Sequence, residues 1–325
     1  MSPKRLSLAL LALLLVTVYS LNPAWRLAAT ATSQRPAALP LTQTHKYANL
    51  EPVMQSPADG TLIEQSLFRK QYAGAVLYEV TYLSDGLRVK GFLARPTAAG
   101  VYPGVVVNHG GLGSIANPER VALFAQAGYV AIGPHYRGNS GSQGREDYGG
   151  QDVHDVLNAV KLLTSLDYVD ASRLGMWGVS HGGQMTLLAV AQGAPVQAAV
   201  TWHGVTDVAA LVEFYRASTD AGLGEDELMR VIGATPEEDP EAYARRSPIR
   251  FVDRINVPLL VIHGSDDRAV PLAQSETLVA ALQARGATVD FQVYPGQGHL
   301  LRGWVHTDAW ERTLAWFAKY VRRPR

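Results

Sequence analysis

One stretch decides the fold: Arg173-Leu-Gly-Met-Trp-Gly-Val-Ser-His-Gly-Gly183. Its apolar part predicts a buried strand, and the apolar run over 185–191 predicts the helix that follows. Between them lies one hydroxyl, Ser180, inside the pattern G-x-S-x-G. A serine on so sharp a strand-to-helix turn needs neighbours without a Cβ, because strand and helix approach closely there. The stretch therefore predicts a nucleophile elbow; the plainer interpretation is a glycine-rich turn that contains a serine by chance.

Strand and helix patterns alternate along the rest of the chain. Segments 75–83 and 89–94 flank the turn Ser84-Asp-Gly86 and predict a β-hairpin at a sheet edge, after a helical or extended lead-in at 60–72. Strands are predicted at 103–111, which ends in glycines, and at 129–132, 174–179, 197–202, 258–263 and 288–294, the last with an alternating pattern. Helices are predicted at 119–127, 152–165, 185–191, 272–285 and 307–321. This alternation predicts an α/β fold with a mostly parallel, doubly wound sheet and helices on both faces.

One segment, about 206–253, interrupts the alternation with helical patterns and no strand pattern. We interpret it as a helical lid over the carboxyl edge of the sheet, where open α/β folds bind ligands. It carries an acidic cluster of Glu225, Asp226, Glu227, Glu237, Glu238, Asp239 and Glu241. These acids are typical of a solvated face, and the alternative hypothesis is that they bind the free amino group of a peptide.

A serine nucleophile needs a base and a group that orients the base. In folds with this elbow the order along the chain is serine, acid, histidine. After Ser180, the strand at 258–263 leads into a loop with two carboxylates, Asp266 and Asp267, which position alone does not separate. His299 follows the last strand in a glycine-rich loop and is the candidate base.

The tetrahedral intermediate needs two hydrogen-bond donors for its oxyanion. One is the backbone N–H of His181, directly after the nucleophile. The second is expected from the loop His109-Gly110-Gly111-Leu112, with Gly111 as the first choice and Leu112 as the next. Two other histidines, His203 and His263, end strands near the site and are candidates for supporting roles.

Composition excludes several classes of function. The 325 residues are 47% hydrophobic and 18% charged, which suits one large α/β domain. The 29 basic and 29 acidic residues balance, so the sequence lacks the excess of basic residues that is typical of nucleic-acid-binding proteins. The chain contains no cysteine, which excludes disulfides, a thiol nucleophile and thiolate metal sites. No motif implies a metal or an organic cofactor, and we expect none.

The N-terminal residues predict where the protein is localised. Lys4 and Arg5 precede an apolar run over 6–18 that is short for a membrane span, an order typical of a secretory signal peptide. We expect 1–31 to be a signal peptide or, if uncleaved, a signal-anchor, and 32–74 to be a linker and lead-in. Both interpretations predict export, and only the second predicts membrane attachment.

Several stretches taken together match a known family: Gly178-Val-Ser-His-Gly-Gly183, His263-Gly-Ser-Asp-Asp-Arg-Ala-Val-Pro271, Gly296-Gln-Gly-His299, Tyr136-Arg-Gly138 and Ser247-Pro-Ile249. Over about 76–321, within a predicted domain at 75–323, the chain resembles the α/β-hydrolase superfamily. Within it, the chain is similar to the catalytic domain of the prolyl oligopeptidase family of serine peptidases. The family's pattern D-x-x-V-P implies that Asp267 is the catalytic acid and Asp266 a neighbour. Its Arg-Gly pair implies that Arg137 supports the site.

The resemblance has one departure. Peptidases of that family usually carry a large β-propeller ahead of the hydrolase domain, and only about 75 residues precede it here. The core also resembles esterases, acetyl xylan esterases and dienelactone-hydrolase-like enzymes, the last of which normally use a cysteine. Peptidase specificity therefore stays open.

We predict a serine hydrolase that cleaves peptide, aminoacyl amide or ester bonds of small substrates through an acyl-enzyme. Ser180, Asp267 and His299 form its triad, and His181 and Gly111 supply the oxyanion hole. The alternative is a carboxylesterase acting on small acyl esters. An acyltransferase and a non-catalytic binding protein with this fold are two further alternatives, and the sequence is silent on oligomeric state.

Overall fold

The computed structural model describes residues 56–218 and 224–322. Within these residues, nine strands form one sheet in the spatial order β1-β2-β3-β5-β4-β6-β7-β8-β9. The strands are β1 (Leu62–Leu67), β2 (Ala75–Ser84), β3 (Leu87–Pro96), β4 (Tyr102–Asn108), β5 (Val130–Pro134), β6 (Val169–Val179), β7 (Ala198–Trp202), β8 (Leu259–Gly264) and β9 (Val289–Tyr294). The helices of the same part of the chain are α1 (Pro118–Gln126), α2 (Val153–Ser165), α3 (His181–Ala191), α4 (Val208–Ala217), α5 (Gly224–Ile232), α6 (Pro240–Arg245), α7 (Ala273–Ala284) and α8 (Trp304–Tyr320).

The sheet is parallel from β5 to β9 and antiparallel at its start. β4 pairs with β5 and β6, and β6, β7, β8 and β9 pair in succession, all in parallel. β1, β2 and β3 pair antiparallel, and β3 pairs antiparallel with β5. The carboxyl ends of β4 and β6 to β9 therefore meet at one edge of the sheet. The predicted fold class, an α/β-hydrolase fold, is confirmed.

Helices cover both faces of the sheet. On one face α2, α3 and α7 enclose an aliphatic core that contains Met176 of β6. On the other face α1 and α8 enclose an aromatic core, where the ring of Trp177 stacks on Trp310 with 5.2 Å between centroids. Successive side chains of a strand point to opposite faces, so Met176 and Trp177 serve the two cores in turn. Strands that are buried on both faces explain the unbroken apolar runs in the sequence.

The edge of the sheet differs from the prediction. The hairpin of β2 and β3 is present, but β2 is not the edge strand, because β1 pairs along it from Leu62 to Leu67. The lead-in at 60–72 therefore contributes the outermost strand, which begins ahead of the predicted domain boundary at 75. β1 is mostly exposed, and its side chains lack the alternating apolar pattern of a strand with one buried face.

The predicted lid region, 206–253, holds α4, α5, α6 and a 3-10 segment at Pro248–Arg254, and its described residues contain no strand. α4 starts where the Asp207 carboxylate accepts the N–H of Ala210 at 3.1 Å, an N-cap. These helices have their own apolar cluster, which Tyr148 and Val270 from neighbouring loops complete. The lid is thus packed onto loops at the carboxyl edge of the sheet.

The predicted signal segment, 1–31, and the linker up to residue 55 lie outside the described residues. In the ranges 56–218 and 224–322, no helix combines the length and the hydrophobicity that a bilayer span requires. The domain boundaries remain predictions.

Candidate active site

The strand–turn–helix predicted around Ser180 is present. β6 ends at Val179 and α3 begins at His181, with Ser180 between them at φ 57° and ψ −125°. A positive φ is unusual for a residue with a side chain. The turn is so tight that a Cβ on Gly178 would collide with the backbone carbonyl of Gly182. The glycines of the motif are therefore required by the close approach of strand and helix.

The sheet order brings the predicted acid and base to the same edge as Ser180. His299 follows β9, and its Nδ1 lies 2.7 Å from Oδ2 of Asp267, which follows β8. The other carboxylate oxygen of Asp267 accepts the N–H groups of Ala269 and Val270, each at 2.9 Å. The loop thus holds one carboxylate oxygen while the other faces the imidazole.

The two adjacent carboxylates have different environments. Asp267 is buried, whereas Asp266 is exposed and accepts the hydroxyl of Ser265 at 2.7 Å. The structure therefore brings His299 together with Asp267 and not with Asp266.

Two further histidines surround Asp267. His203 Nδ1 and His263 Nε2 each lie 3.3 Å from Asp267 Oδ2, the oxygen that also faces His299. The His263 ring is held by Ser275 Oγ at 2.7 Å and by the carbonyl of Val270 at 2.9 Å. Both histidines end strands, so the supporting roles predicted for them agree with their positions.

Charge in this cluster follows from burial and hydrogen bonding. Burial alone would raise the pKa of the Asp267 carboxyl group, but hydrogen bonds from His203, His263 and His299 outweigh it and hold the pKa well below its usual range. Burial lowers the pKa of His203 to about 4, against the opposing effect of Asp267. At neutral pH the cluster is therefore an ionised carboxylate beside a neutral His203.

The same cluster has the composition of a small metal site. Ligand atoms of His203, His263 and Asp267 lie within 4.8 Å of one another. Both ring nitrogens of His263, however, already have hydrogen-bond partners in Ser275 and Val270. A neutral imidazole binds metal through a nitrogen lone pair that is not otherwise used. The donors that are present suit a hydrogen-bond network around Asp267 better than a cation.

The predicted oxyanion loop follows β4. Gly111 lies in this loop with φ 82°, a left-handed conformation that favours glycine. Gly110 packs directly against the elbow, because a Cβ there would come within 2.9 Å of the Ser180 Cβ. His109 holds the loop from its base: its Nδ1 lies 3.2 Å from the Gly110 carbonyl, and its ring stacks on Tyr136 at 4.2 Å between centroids. Burial lowers the pKa of His109 to about 4, which fits a neutral structural ring.

A buried ion pair fixes the loop that carries Tyr136. The Arg137 guanidinium donates to Asp155 at 2.7 Å and to Asp85 at 2.8 Å, and its backbone N–H also donates to Asp155. Arg137 and Asp155 are both buried. The Arg-Gly pair singled out in the sequence thus holds Tyr136 against His109.

An aromatic contact that the sequence did not reveal lies behind the elbow. The ring of Tyr148 stacks on the ring of His181, with centroids 4.4 Å apart and planes 12° apart. The backbone of Tyr148 has a positive φ of 47°, and Tyr136 and His203 resemble Ser180 in the same way, with φ of 59° and 50°. Tyr148 lies in a loop and His181 begins α3, 33 residues further along the chain, so no local pattern in the sequence could have indicated the contact.

Asp152 holds the loop that presents Tyr148. Its two carboxylate oxygens accept the N–H groups of Asp147 at 3.0 Å and Gly149 at 2.9 Å, on either side of Tyr148. Asp152 is fully buried, and burial raises the pKa of its carboxyl group to about 7, aided by the nearby charges of Asp147 and Asp155.

This shift predicts a pH-dependent stability. The folded-state pKa of Asp152 lies above its unfolded value, so the stabilising contribution is complete in acid and is lost as the pH rises through about 7. Between pH 5 and 7, we expect the free energy of unfolding of the wild type to fall by up to about 1.4 kcal/mol per pH unit because of this group. In Asp152→Asn this decrease should be absent. Urea unfolding at several pH values measures this. Equal slopes in the two proteins would show that Asp152 titrates normally.

The acidic cluster of the lid is largely engaged within the lid. Glu227, Glu237 and Glu241 form ion pairs with Arg230, Arg216 and Arg245. Glu238 and Asp239 accept backbone N–H groups of Thr235 and Ala242. These contacts favour the interpretation of a solvated, internally paired surface over that of an amino-group site.

A family model matches the part of the chain that carries Ser180, Asp267 and His299. Residues 116–323 match the model described as the prolyl oligopeptidase family, Peptidase_S9. The uncharacterized peptidase YtmA of Bacillus subtilis (strain 168) is 36% identical over 236 residues, which cover 72% of this chain and 90% of that protein.

Solved structures of a peptidase and of an esterase share the fold. Pyrococcus horikoshii acylaminoacyl peptidase is 25% identical with a TM-score of 0.67, over 82% of this chain and 43% of its own. Acetyl xylan esterase from Paenibacillus sp. R4 is 18% identical with a TM-score of 0.66, over 87% of this chain and 100% of its own. The chain thus spans less than half of the peptidase, and its likeness to the esterase is one of fold.

Proposed function

Because this chain belongs to the prolyl oligopeptidase family, we propose that Ser180, Asp267 and His299 are the catalytic triad of a peptidase acting on small aminoacyl and peptidyl amides. Its coarser class, a serine hydrolase of peptide or ester bonds, follows from the family and its relatives. The single observation that carries the proposal is the 2.7 Å contact between His299 Nδ1 and the buried Asp267, at the sheet edge that holds the elbow.

The contact decides the tautomer of His299. With Nδ1–H donating to Asp267, the lone pair of Nε2 is left to take the proton of the Ser180 hydroxyl. Ser180 Oγ then attacks the carbonyl carbon, and the N–H groups of His181 and Gly111 stabilise the oxyanion. The imidazolium passes its proton to the leaving amine. In deacylation His299 takes a proton from water, which attacks the acyl-enzyme, and then returns that proton to the Ser180 oxygen as the acid leaves. The ionised Asp267 stabilises the imidazolium throughout.

Two panels of chromogenic substrates test the proposed bond specificity. We expect protein lacking residues 1–31 to cleave aminoacyl and dipeptidyl arylamides, and to lose this activity in Ser180→Ala. Cleavage of short-chain acyl esters alone would contradict the peptidase proposal and leave a carboxylesterase.

The carboxylesterase remains the second candidate, and one observation favours it. The likeness of fold to the acetyl xylan esterase extends over the whole of that protein, so an esterase can consist of this domain alone. The esterase panel therefore belongs in the first experiment.

We also propose that the protein is exported. The support is Lys4 and Arg5 ahead of the apolar run over 6–18, which lies outside the described residues. The intact mass of the protein recovered after expression from the full gene decides it. Loss of about the first 31 residues supports a signal peptide, full length in a membrane fraction supports a signal-anchor, and full length in the cytosol contradicts export.

A further inference from the structure

We propose that the imidazole of His181 positions the oxyanion hole, in addition to the backbone N–H through which this residue is expected to bind the oxyanion. The role rests on the serine hydrolase function proposed above. His181 follows the nucleophile Ser180 directly and begins α3. Its side chain is only 1% exposed. A polar ring buried so deeply beside a nucleophile must be held by contacts that compensate for the loss of water.

Four buried rings contact one another in succession and form a ring column: Tyr148, His181, Tyr136 and His109. Tyr148 stacks on His181, and Tyr136 meets His181 edge to face with 5.8 Å between centroids. Tyr136 in turn stacks on His109, at the base of the oxyanion loop. Tyr148 also belongs to the apolar cluster of the lid. The ring column therefore connects the lid and the elbow to the oxyanion loop, and His181 is fixed inside it.

The ring of His181 also faces the backbone of Gly111. Burial lowers the pKa of His181 to about 3 and the charge of His109 adds to this, whereas a hydrogen bond to the Gly111 backbone opposes both. A hydrogen bond that raises the pKa of an imidazole is one that the ring donates, so its acceptor is the Gly111 carbonyl. Within the described residues neither ring nitrogen has a partner at normal hydrogen-bond geometry, so this contact is loose. Stacking thus holds a neutral ring that directs an N–H at Gly111.

Gly111 is a donor that needs a restraint from outside its own loop. Its φ of 82° lies in the left-handed region, and glycine has the most conformational freedom of all residues. The start of α3 lies directly against this loop, because a Cβ on Gly182 would collide with the carbonyl oxygens of Asn108 and His109. The ring of His181 acts on the carbonyl of the same glycine whose N–H is the proposed second donor. His181 therefore supplies one donor from its backbone and restrains the other through its side chain.

Three substitutions separate this positioning role from simple packing. His181→Phe keeps a ring against Tyr148 and removes both nitrogens. His181→Asn and His181→Gln remove the ring and keep an N–H, at about the places of Nδ1 and Nε2. The readout is the rate at which a fluorophosphonate labels Ser180, whose Oγ displaces fluoride from phosphorus. The phosphoryl oxygen of the probe takes the place of the substrate carbonyl oxygen, so no natural substrate is needed.

We expect His181→Phe to be labelled about tenfold more slowly than the wild type, the effect of losing one neutral hydrogen bond. The better of the two amide variants should stay within about threefold. On a substrate that the wild type cleaves, kcat of His181→Phe should fall by the same factor while KM stays within about twofold, because the oxyanion forms only after binding. His306→Phe is the matched control, since it replaces a partly buried histidine that packs on Trp202 and Trp310, and its labelling rate should be unchanged.

The order of the variants decides the outcome. If the ring only packs, His181→Phe keeps more activity than either amide variant. A wild-type rate in His181→Phe, or amide variants no faster than His181→Phe, would overturn the positioning role and leave the hydrolase intact. A wild type that is neither labelled nor active on either substrate panel would overturn the hydrolase itself. If His181→Phe does not fold, the smaller His181→Leu also lacks a donor and takes its place, with the same expected and contradicting results.

Discussion

Alanine in place of Ser180 is expected to lower kcat by about six orders of magnitude, as loss of the nucleophile does in other triad enzymes. The reason is that no other hydroxyl occupies the elbow between β6 and α3. Arylamide and ester hydrolysis measured with stopped and continuous assays gives the residual rate. Activity within tenfold of the wild type would contradict the nucleophile assignment.

The fold of this variant should persist. Ser180 keeps its backbone contact to β7, where its N–H donates to the Trp202 carbonyl at 2.8 Å, whatever its side chain. We therefore expect thermal unfolding within a few degrees of the wild type. A fluorophosphonate probe should label the wild type and leave Ser180→Ala unlabelled, which separates loss of the nucleophile from loss of the fold.

Asparagine in place of Asp267 is expected to lower kcat by about 10⁴. The His299 Nδ1–H loses its charged acceptor, so the ring no longer holds the tautomer in which Nε2 is the base. Stability should fall too, because His203 and His263 also face this carboxylate. The pH–rate profile and the unfolding free energy measure the two effects.

The neighbouring carboxylate supplies the control. Asp266→Asn removes the same charge one residue away, at an exposed position where the carboxylate accepts the Ser265 hydroxyl. We expect its kcat to stay within about threefold of the wild type. A larger loss in Asp266→Asn than in Asp267→Asn would reverse the assignment of the acid.

The parts of this molecule that sequence predicts are those set by local pattern. The strand and helix around Ser180 were predictable because G-x-S-x-G places its glycines where a Cβ would collide. β1 was not, because its exposed side chains carry no strand period. Asp266 and Asp267 looked alike by position, and the resemblance to a family, rather than spacing, chose between them. The burial of Asp267 gives the physical reason for that choice.

Contacts between segments that are distant in the sequence could not be predicted from local sequence patterns. The stack of Tyr148 on His181 joins a loop to the start of α3, and the Glu146 carboxylate meets the oxyanion loop by accepting the N–H of Gly113, 33 residues away in the sequence. The pairing of most lid acids with arginines or backbone N–H groups is likewise visible only in the structure.

The positive φ angles of Tyr136, Tyr148, Ser180 and His203 limit how this protein can be engineered. A non-glycine residue in that conformation costs on the order of 1–3 kcal/mol, which the surrounding core must outweigh. Glycine at such positions would relieve the cost, but it would also delete the three rings that brace the elbow and its acid or, at position 180, the nucleophilic hydroxyl itself. Thermostable variants are therefore to be sought in the hairpin and in the outer faces of the helices, where stability can rise without a trade against turnover.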